Sequence, residues 1–132
     1  MTDREKGLRK RKWIKIYPVE CIDGSIRYQL EPDERSVWYD LLNFAAICGN
    51  EGVISDRDGR AFPLTFIANR LNIGLELLER AIGKCKEEGR IVEKGGVIKI
   101  THWKDYQSAY DYQKKYQERY RQESCSGRKI KQ

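Results

Sequence analysis

The stretch that decides the fold, residues 63–103, reads PLTFIANRLNIGLELLERAIGKCKEEGRIVEKGGVIKITHW. Apolar residues recur at spacings of three and four over residues 64–71 and again over residues 75–88, which predicts two amphipathic helices joined by a tight turn. Two short runs rich in valine and isoleucine follow. They flank Gly95 and Gly96, a pair that suits the positive φ values of a tight hairpin turn. The stretch therefore predicts a helix-turn-helix followed by a β-hairpin.

A longer helix and a small β excursion are predicted just upstream. Pro32 suits the first turn of a helix, apolar residues recur at helical spacing as far as Cys48, and Gly49 ends the pattern. Residues 52–54 and 61–62 flank a turn and predict the β excursion. The order of these elements predicts an α+β, mainly α fold, namely a winged helix-turn-helix with a two-stranded wing and an extra C-terminal helix.

Charge is distributed unevenly along the chain. The net charge is +6, yet residues 17–103 carry eleven basic against fourteen acidic side chains, whereas residues 1–16 carry seven against two and residues 104–132 eight against four. Basic ends on a compact module are typical of proteins that meet nucleic-acid phosphates, with solubilising tails as the alternative. The predicted organisation is a basic flexible arm over residues 1–12, a winged-helix domain over 13–103, a C-terminal helix over 104–122 and a disordered basic tail over 123–132.

Cysteine usage and missing motifs narrow the function classes. The four cysteines lie 27, 37 and 40 residues apart and the chain has one histidine, His102, so we predict no metal site and no cofactor. We expect the cysteines to be reduced thiols, which indicates a cytoplasmic location, or the cytoplasm of the host cell if a phage encodes the chain. No apolar run of transmembrane length and no signal peptide are present, which predicts a soluble protein without a membrane partner. Neither the P-loop pattern GxxxxGK[ST] nor the dinucleotide-binding pattern GxGxxG occurs in the sequence. We therefore expect that the protein is not an enzyme.

Four segments carry a resemblance to a known family. They are KWIKIY at residues 12–17 with DGSIR at 23–27, ERSVWYDLL at 34–42, IANRL at 67–71 with EEGRIVE at 87–93, and ITHWKDYQ at 100–107. In this order they resemble the N-terminal winged-helix domain of phage replisome-organiser proteins, related in type to DnaD-like replication-initiation proteins. The resemblance implies a winged helix that acts in replication initiation. Family members continue into a second domain that engages helicase loaders or single-stranded DNA, so we expect this shorter chain to be a stand-alone DNA-binding protein.

The second helix of the helix-turn-helix is the predicted recognition helix. Such a helix enters the major groove, where arginine reads guanine through two hydrogen bonds. Arg80 and Lys84 lie four residues apart and share one face, with Lys86 also directed outward. Glu76 and Glu79 are predicted to point outward as well, and carboxylates are repelled by phosphates. The alternative interpretation is a helix that faces solvent or a protein partner.

The hairpin turn is the predicted phosphate-binding wing. Arg90, Lys94 and Lys99 flank Gly95 and Gly96, which have no side chains to block close approach to DNA. Lysine and arginine contacts to the backbone give affinity and position without sequence information. The alternative is that these are strand-edge cations that protect an exposed sheet edge from pairing.

Cations at the N-terminus form a predicted DNA-binding arm. Arg9, Lys10, Arg11 and Lys12 follow one another, and mobile basic arms lie along a groove in several classes of DNA-binding protein. An inert tail and, in a eukaryote, a nuclear import signal are the alternatives.

An aromatic stripe marks the predicted C-terminal helix. Tyr112, Tyr116 and Tyr120 recur every four residues, with Lys115 and Arg119 beside them. Such a seam packs on the domain, forms a dimer contact, or stacks on bases while its cations hold phosphates.

Three tryptophans, Trp13, Trp38 and Trp103, are predicted core residues. Taken together, the sequence predicts a protein that binds double-stranded DNA and acts in phage- or plasmid-type replication initiation, with a homodimer and replisome proteins as further candidate partners. The alternatives are a winged-helix adaptor that binds proteins within a replisome and a transcriptional repressor, because one fold serves several functions.

Overall fold

The computed structural model describes residues 10–107. Just over half of these residues lie in helices, and the strands form one three-stranded antiparallel sheet, so the predicted α+β, mainly helical class is confirmed for this part of the chain. The chain divides into two compact units, Met1–His102 and Trp103–Gln132. In the second unit the described residues comprise the short helix α6 (Trp103–Gln107).

Two short helices, α1 (Pro18–Asp23) and α2 (Ser25–Gln29), open the first unit and were not predicted. Pro18 occupies the first turn of α1, where its missing N–H costs nothing. Gly24 joins the two helices. A Cβ at this position would lie 2.4 Å from the carbonyl oxygen of Glu20, so the joint requires glycine.

The three tryptophans differ in burial. Trp38 and Trp103 are buried, as predicted. The prediction for Trp13 is wrong, because 61% of its surface is exposed. Trp13 lies in a segment without regular structure ahead of α1, where no described element covers the ring.

The longest helix is α3 (Pro32–Cys48), whose predicted boundaries are confirmed. Pro32 occupies its first turn, and the side chain of Glu34 accepts a hydrogen bond of 2.7 Å from the backbone N–H of Glu31 to form a capping box. Gly49 ends the helix in the left-handed conformation, with φ of 67°. Apart from Glu34, the buried side chains of α3 are apolar; they are Val37, Trp38, Leu41, Phe44, Ala45 and Ala46.

The remaining elements of the first unit follow the predicted order. They are β1 (Val53–Ile54), α4 (Leu64–Leu71), α5 (Leu75–Glu87), β2 (Ile91–Lys94) and β3 (Val97–Ile100). The strands are arranged β1-β3-β2, all antiparallel. Gly95 and Gly96 turn the hairpin with φ of 59° and 79°, as the glycine pair predicted.

The core lies among α3, α4, α5 and one face of the sheet. Its fully buried members include Leu41, Ile54, Ile67, Leu78 and Ile91. Side chains alternate between the faces of a strand, so β3 turns its two isoleucines inward and Lys99 outward, between Val53 of β1 and Val92 of β2. Burial thus fixes which side chains of the hairpin can meet a partner.

Candidate nucleic-acid interface

Two of the predicted base-reading cations of α5 are engaged with α3. The Nζ of Lys84 lies 2.8 Å from Oε1 of Glu34, and the Nε of Arg80 lies 3.3 Å from Oε2 of the same carboxylate. Arg80 also forms an ion pair with Asp33. Glu34 is fully buried, so its charge depends on these partners. Arg80 and Lys84 therefore hold the two helices together, and reading a base would require them to leave a buried carboxylate.

The pKa values agree with this pairing. Burial raises the pKa of Glu34, but hydrogen bonds from Lys84 and from the backbone of Glu31, together with the charges of Lys84 and Arg80, bring it below its ordinary value. The hydrogen bond to Glu34 raises the pKa of Lys84. The carboxylate and the ammonium group are consequently both charged at neutral pH.

Two further predicted contact residues, Lys86 and Arg90, are paired near the base of the hairpin. The Nζ of Lys86 lies 2.6 Å from a carboxylate oxygen of Glu93 on β2. The guanidinium of Arg90 lies 2.7 Å from the carboxylate of Glu88 and donates to the hydroxyl of Ser25 on α2, also at 2.7 Å. Arg90 is largely covered, so its observed contacts are internal to the domain.

The other predicted hairpin residues lie at or near the turn and face outward. Lys94, Gly95, Gly96 and Lys99 are all exposed. Within residues 10–107, neither Lys94 nor Lys99 has a carboxylate partner. The hairpin thus presents one lysine on each side of a glycine turn, and neither lysine is paired with a carboxylate of the described residues.

Part of the predicted N-terminal arm rests on α3. The backbone N–H of Arg11 donates a hydrogen bond of 3.0 Å to the carbonyl oxygen of Ala46. Lys10 and Lys12, on either side, are exposed, whereas Arg9 lies outside the described residues. The predicted contacts of the C-terminal helix, Tyr112, Lys115, Tyr116, Arg119 and Tyr120, also lie outside them, and their roles stay predictions.

The outer face of α5 is acidic. Glu76, Glu79 and Glu87 are exposed, and none of them pairs with a cation of the described part of the chain. Leu75, at the start of the helix, is 37% exposed. The face that a recognition helix would present to a groove therefore carries carboxylates, while its cations are neutralised.

A groove lined by aromatic rings and cations was missed by sequence reasoning. The rings of Phe44 and Phe62 meet edge to face at 5.7 Å, and Phe66 stacks on Phe62 at 4.9 Å. They line a groove of about 320 Å³. Phe62 and Phe66 are four residues apart, which is a weak local signal, but Phe44 belongs to another helix. Only the tertiary fold brings the three rings together.

The chain was compared with protein-family models, curated proteins and solved structures, and no match was found. Within residues 10–107, no cluster of three or more histidine, cysteine, aspartate or glutamate side chains is placed to hold a metal ion. None of the described helices is both long and apolar enough to cross a membrane. The contacts of the hairpin, of α5 and of the groove are therefore the basis for assigning a function.

Proposed function

We propose that the first unit is a winged-helix domain that binds the phosphate backbone of duplex DNA through the β2–β3 hairpin, which is its wing. The order of α3, β1, α4, α5 and the hairpin supports this, because it places a helix pair beside a hairpin with an open turn. A helix-turn-helix docks its second helix against the major groove, and an adjacent hairpin then reaches the neighbouring backbone.

The observation that carries the proposal is the division between paired and available cations. On α5 and at the base of the wing, Arg80, Lys84, Lys86 and Arg90 each have an internal partner. Near the wing turn, Lys94 and Lys99 do not, among the residues that the structure describes. Contacts from such lysines supply affinity without sequence information, so we expect binding that depends little on DNA sequence.

A role in replication initiation is part of the proposal and is supported by the four segments that resemble replisome organisers. Transcriptional repression would use the same DNA contacts, since a fold does not determine a biological role. The biochemical activity common to both, duplex binding through the wing, is the part that a binding experiment tests directly.

The test measures fluorescence anisotropy of two labelled duplexes of unrelated sequence, each of about 25 base pairs, or more than two helical turns. We expect Lys94→Glu to weaken binding to both duplexes about tenfold, because an attraction to phosphate becomes a repulsion. Arg70→Glu on α4 makes the same change in net charge outside the hairpin and should leave the affinity within about twofold. Equal affinities of wild type and Lys94→Glu would contradict the proposal.

A second candidate, an adaptor that binds a basic protein within a replisome, is favoured by the acidic outer face of α5. Glu76, Glu79 and Glu87 would attract a basic surface, and the exposed side chain of Leu75 adds an apolar contact. The same titration separates the two candidates. If the wild-type chain binds neither duplex at low salt, the adaptor is the better account.

A further inference from the structure

The groove between α3 and α4 has a floor of aromatic rings from three parts of the chain. Phe44 comes from α3, Phe62 from the segment before α4, and Phe66 from α4. Phe44 is buried and belongs to the core, but 45% of Phe66 is exposed. Phe66 lies nearly parallel to Phe62, at an interplanar angle of 22°. A partly exposed ring that is held flat by a second ring is a platform on which another planar group can stack.

Cations from three separate segments line the same groove. Lys10 belongs to the N-terminal segment, Arg57 to the turn after β1, and Arg70 to the last turn of α4. Two of these cations, Arg70 and Lys10, affect the pKa of the thiol of Cys48, which also lines the groove. Burial raises the pKa of that thiol, while the charges of Arg70 and Lys10 act in the opposite direction. The positive charge is thus distributed around the aromatic floor.

Among the described residues that line the groove, Asp56 is the one acidic side chain, and its carboxylate is engaged in a turn. Its Oδ1 accepts the backbone N–H groups of Asp58 and Arg60 at 2.8 and 2.9 Å. These two hydrogen bonds hold the carboxylate in the turn and engage one of its two oxygens, while its negative charge remains. Within the described part of the lining, three cations against this one carboxylate give a positive net charge.

We propose that this groove binds single-stranded nucleic acid, with one unpaired base stacked on Phe66 and the neighbouring phosphates held by Arg70, Arg57 and Lys10. Aromatic side chains interleaved with cations bind single strands in this way, and stacking accepts any base. In a duplex the base faces are covered by their neighbours, so this site requires an unpaired strand. The activity is additional to duplex binding by the wing and uses different residues.

The arrangement of the cations favours a nucleic acid over an acidic peptide. A peptide that inserts one apolar side chain and one terminal carboxylate needs a cation at one end of the groove. Here Lys10, Arg57 and Arg70 come from three elements around the floor, which matches a ligand that carries a charge on every unit. The ring of Phe66, which stacks on Phe62, also favours a base, because a planar base can stack on it.

The test compares labelled oligothymidylate of about 15 nucleotides with an abasic strand of equal length, which keeps the phosphates but has no bases. We expect the wild-type protein to bind oligothymidylate about tenfold more tightly than the abasic strand, because one stacked base contributes roughly that factor. Phe66→Ala should remove this preference, and Phe66→Trp should keep it. Arg70→Glu should weaken binding to both strands.

Controls separate the groove from the wing and from the fold. Phe66 is partly exposed, so Phe66→Ala should still unfold cooperatively, which thermal circular dichroism checks. Lys94→Glu should keep the preference for oligothymidylate over the abasic strand, because any contact of the wing with phosphates is common to both strands. Equal affinity of the wild type for the two strands, or a preference that survives Phe66→Ala, would overturn the proposal. The proposal would also be overturned if the wild-type protein bound neither strand but bound an acidic peptide containing phenylalanine.

Discussion

Glu34 is the residue on which the packing of α3 against α5 and the charge of α5 both depend. Its carboxylate caps the start of α3, is fully buried, and lies within ion-pair distance of Arg80 and Lys84. A buried charge is tolerated only when partners compensate its lost hydration. The two cations provide that compensation, and they are the side chains that would otherwise be available to DNA.

Replacing Glu34 tests this dual role. We expect Glu34→Gln to lower the free energy of unfolding by about 1–3 kcal/mol, a range that allows for the partial exposure of both cations. It should also strengthen duplex binding, because Lys84 loses its carboxylate partner and Arg80 keeps only its ion pair with Asp33. Urea denaturation and anisotropy measure the two effects. Glu79→Gln, at an exposed position of α5, is the control and should change stability by less than about 0.5 kcal/mol. Unchanged stability of Glu34→Gln would show that the ion pairs contribute nothing.

The difference in stability between wild type and Glu34→Gln should change with pH in a defined direction. The pKa of Glu34 in the folded state lies below its ordinary value of 4.5, so its stabilising contribution is present above pH 4.5 and is lost as the pH falls through the folded-state pKa. The pKa of Lys84 is raised above 10.5, so its contribution is present below pH 10.5 and is lost as the pH rises further. The stability difference between wild type and Glu34→Gln should therefore shrink in acid.

At the scale of elements, local signals predicted most boundaries from α3 to β3. Pro32, Gly49 and the glycine pair at the hairpin act through backbone preferences that do not depend on distant residues. Helix α1 was missed because it contains no buried residue, with Val19 exposed by 73%, so burial imposes no periodic pattern on it.

The partners of the site residues could not be predicted in the same way. Arg80 and Lys84 were correctly placed on α5, but the carboxylates that bind them lie 47 and 50 residues away in sequence. Which of many acidic side chains meets which cation is decided by how helices pack. The aromatic groove has the same origin, since Phe44 contacts Phe62 only in the folded chain.

Two glycines in different elements provide a paired test of the fold. Gly95→Ala should destabilise the domain by about 1–2 kcal/mol, because φ at this position is 59° and a Cβ is strained in that region. Gly83→Ala, within α5, should stabilise it by about 0.5–1 kcal/mol, since the position is helical and a Cβ there would meet no atom within 4 Å. Both values come from thermal or urea unfolding. The same sign for both substitutions would contradict the assigned turn or helix.

For the molecule as a whole, charge is divided between surfaces rather than spread evenly. The net charge is +6, but Arg80 and Lys84 of α5 pair with carboxylates of α3 and Lys86 pairs with Glu93 of β2. The outer face of α5 is acidic. The available positive charge of the described residues includes the wing, at Lys94 and Lys99, and the groove, at Arg70. In this account duplex DNA is held at the wing and an unpaired strand at the groove, which suits a protein that acts where duplex DNA opens.

The most direct test of the central claim is the salt dependence of duplex affinity for wild type and Lys94→Glu. Each phosphate neutralised by a cation contributes about 0.9 to the slope of log affinity against log salt concentration. We predict a steep decrease of affinity with salt for the wild type, and a slope smaller by about 1 for Lys94→Glu. Affinity that does not vary with salt, or identical slopes for the two proteins, would contradict binding of the DNA backbone through the wing.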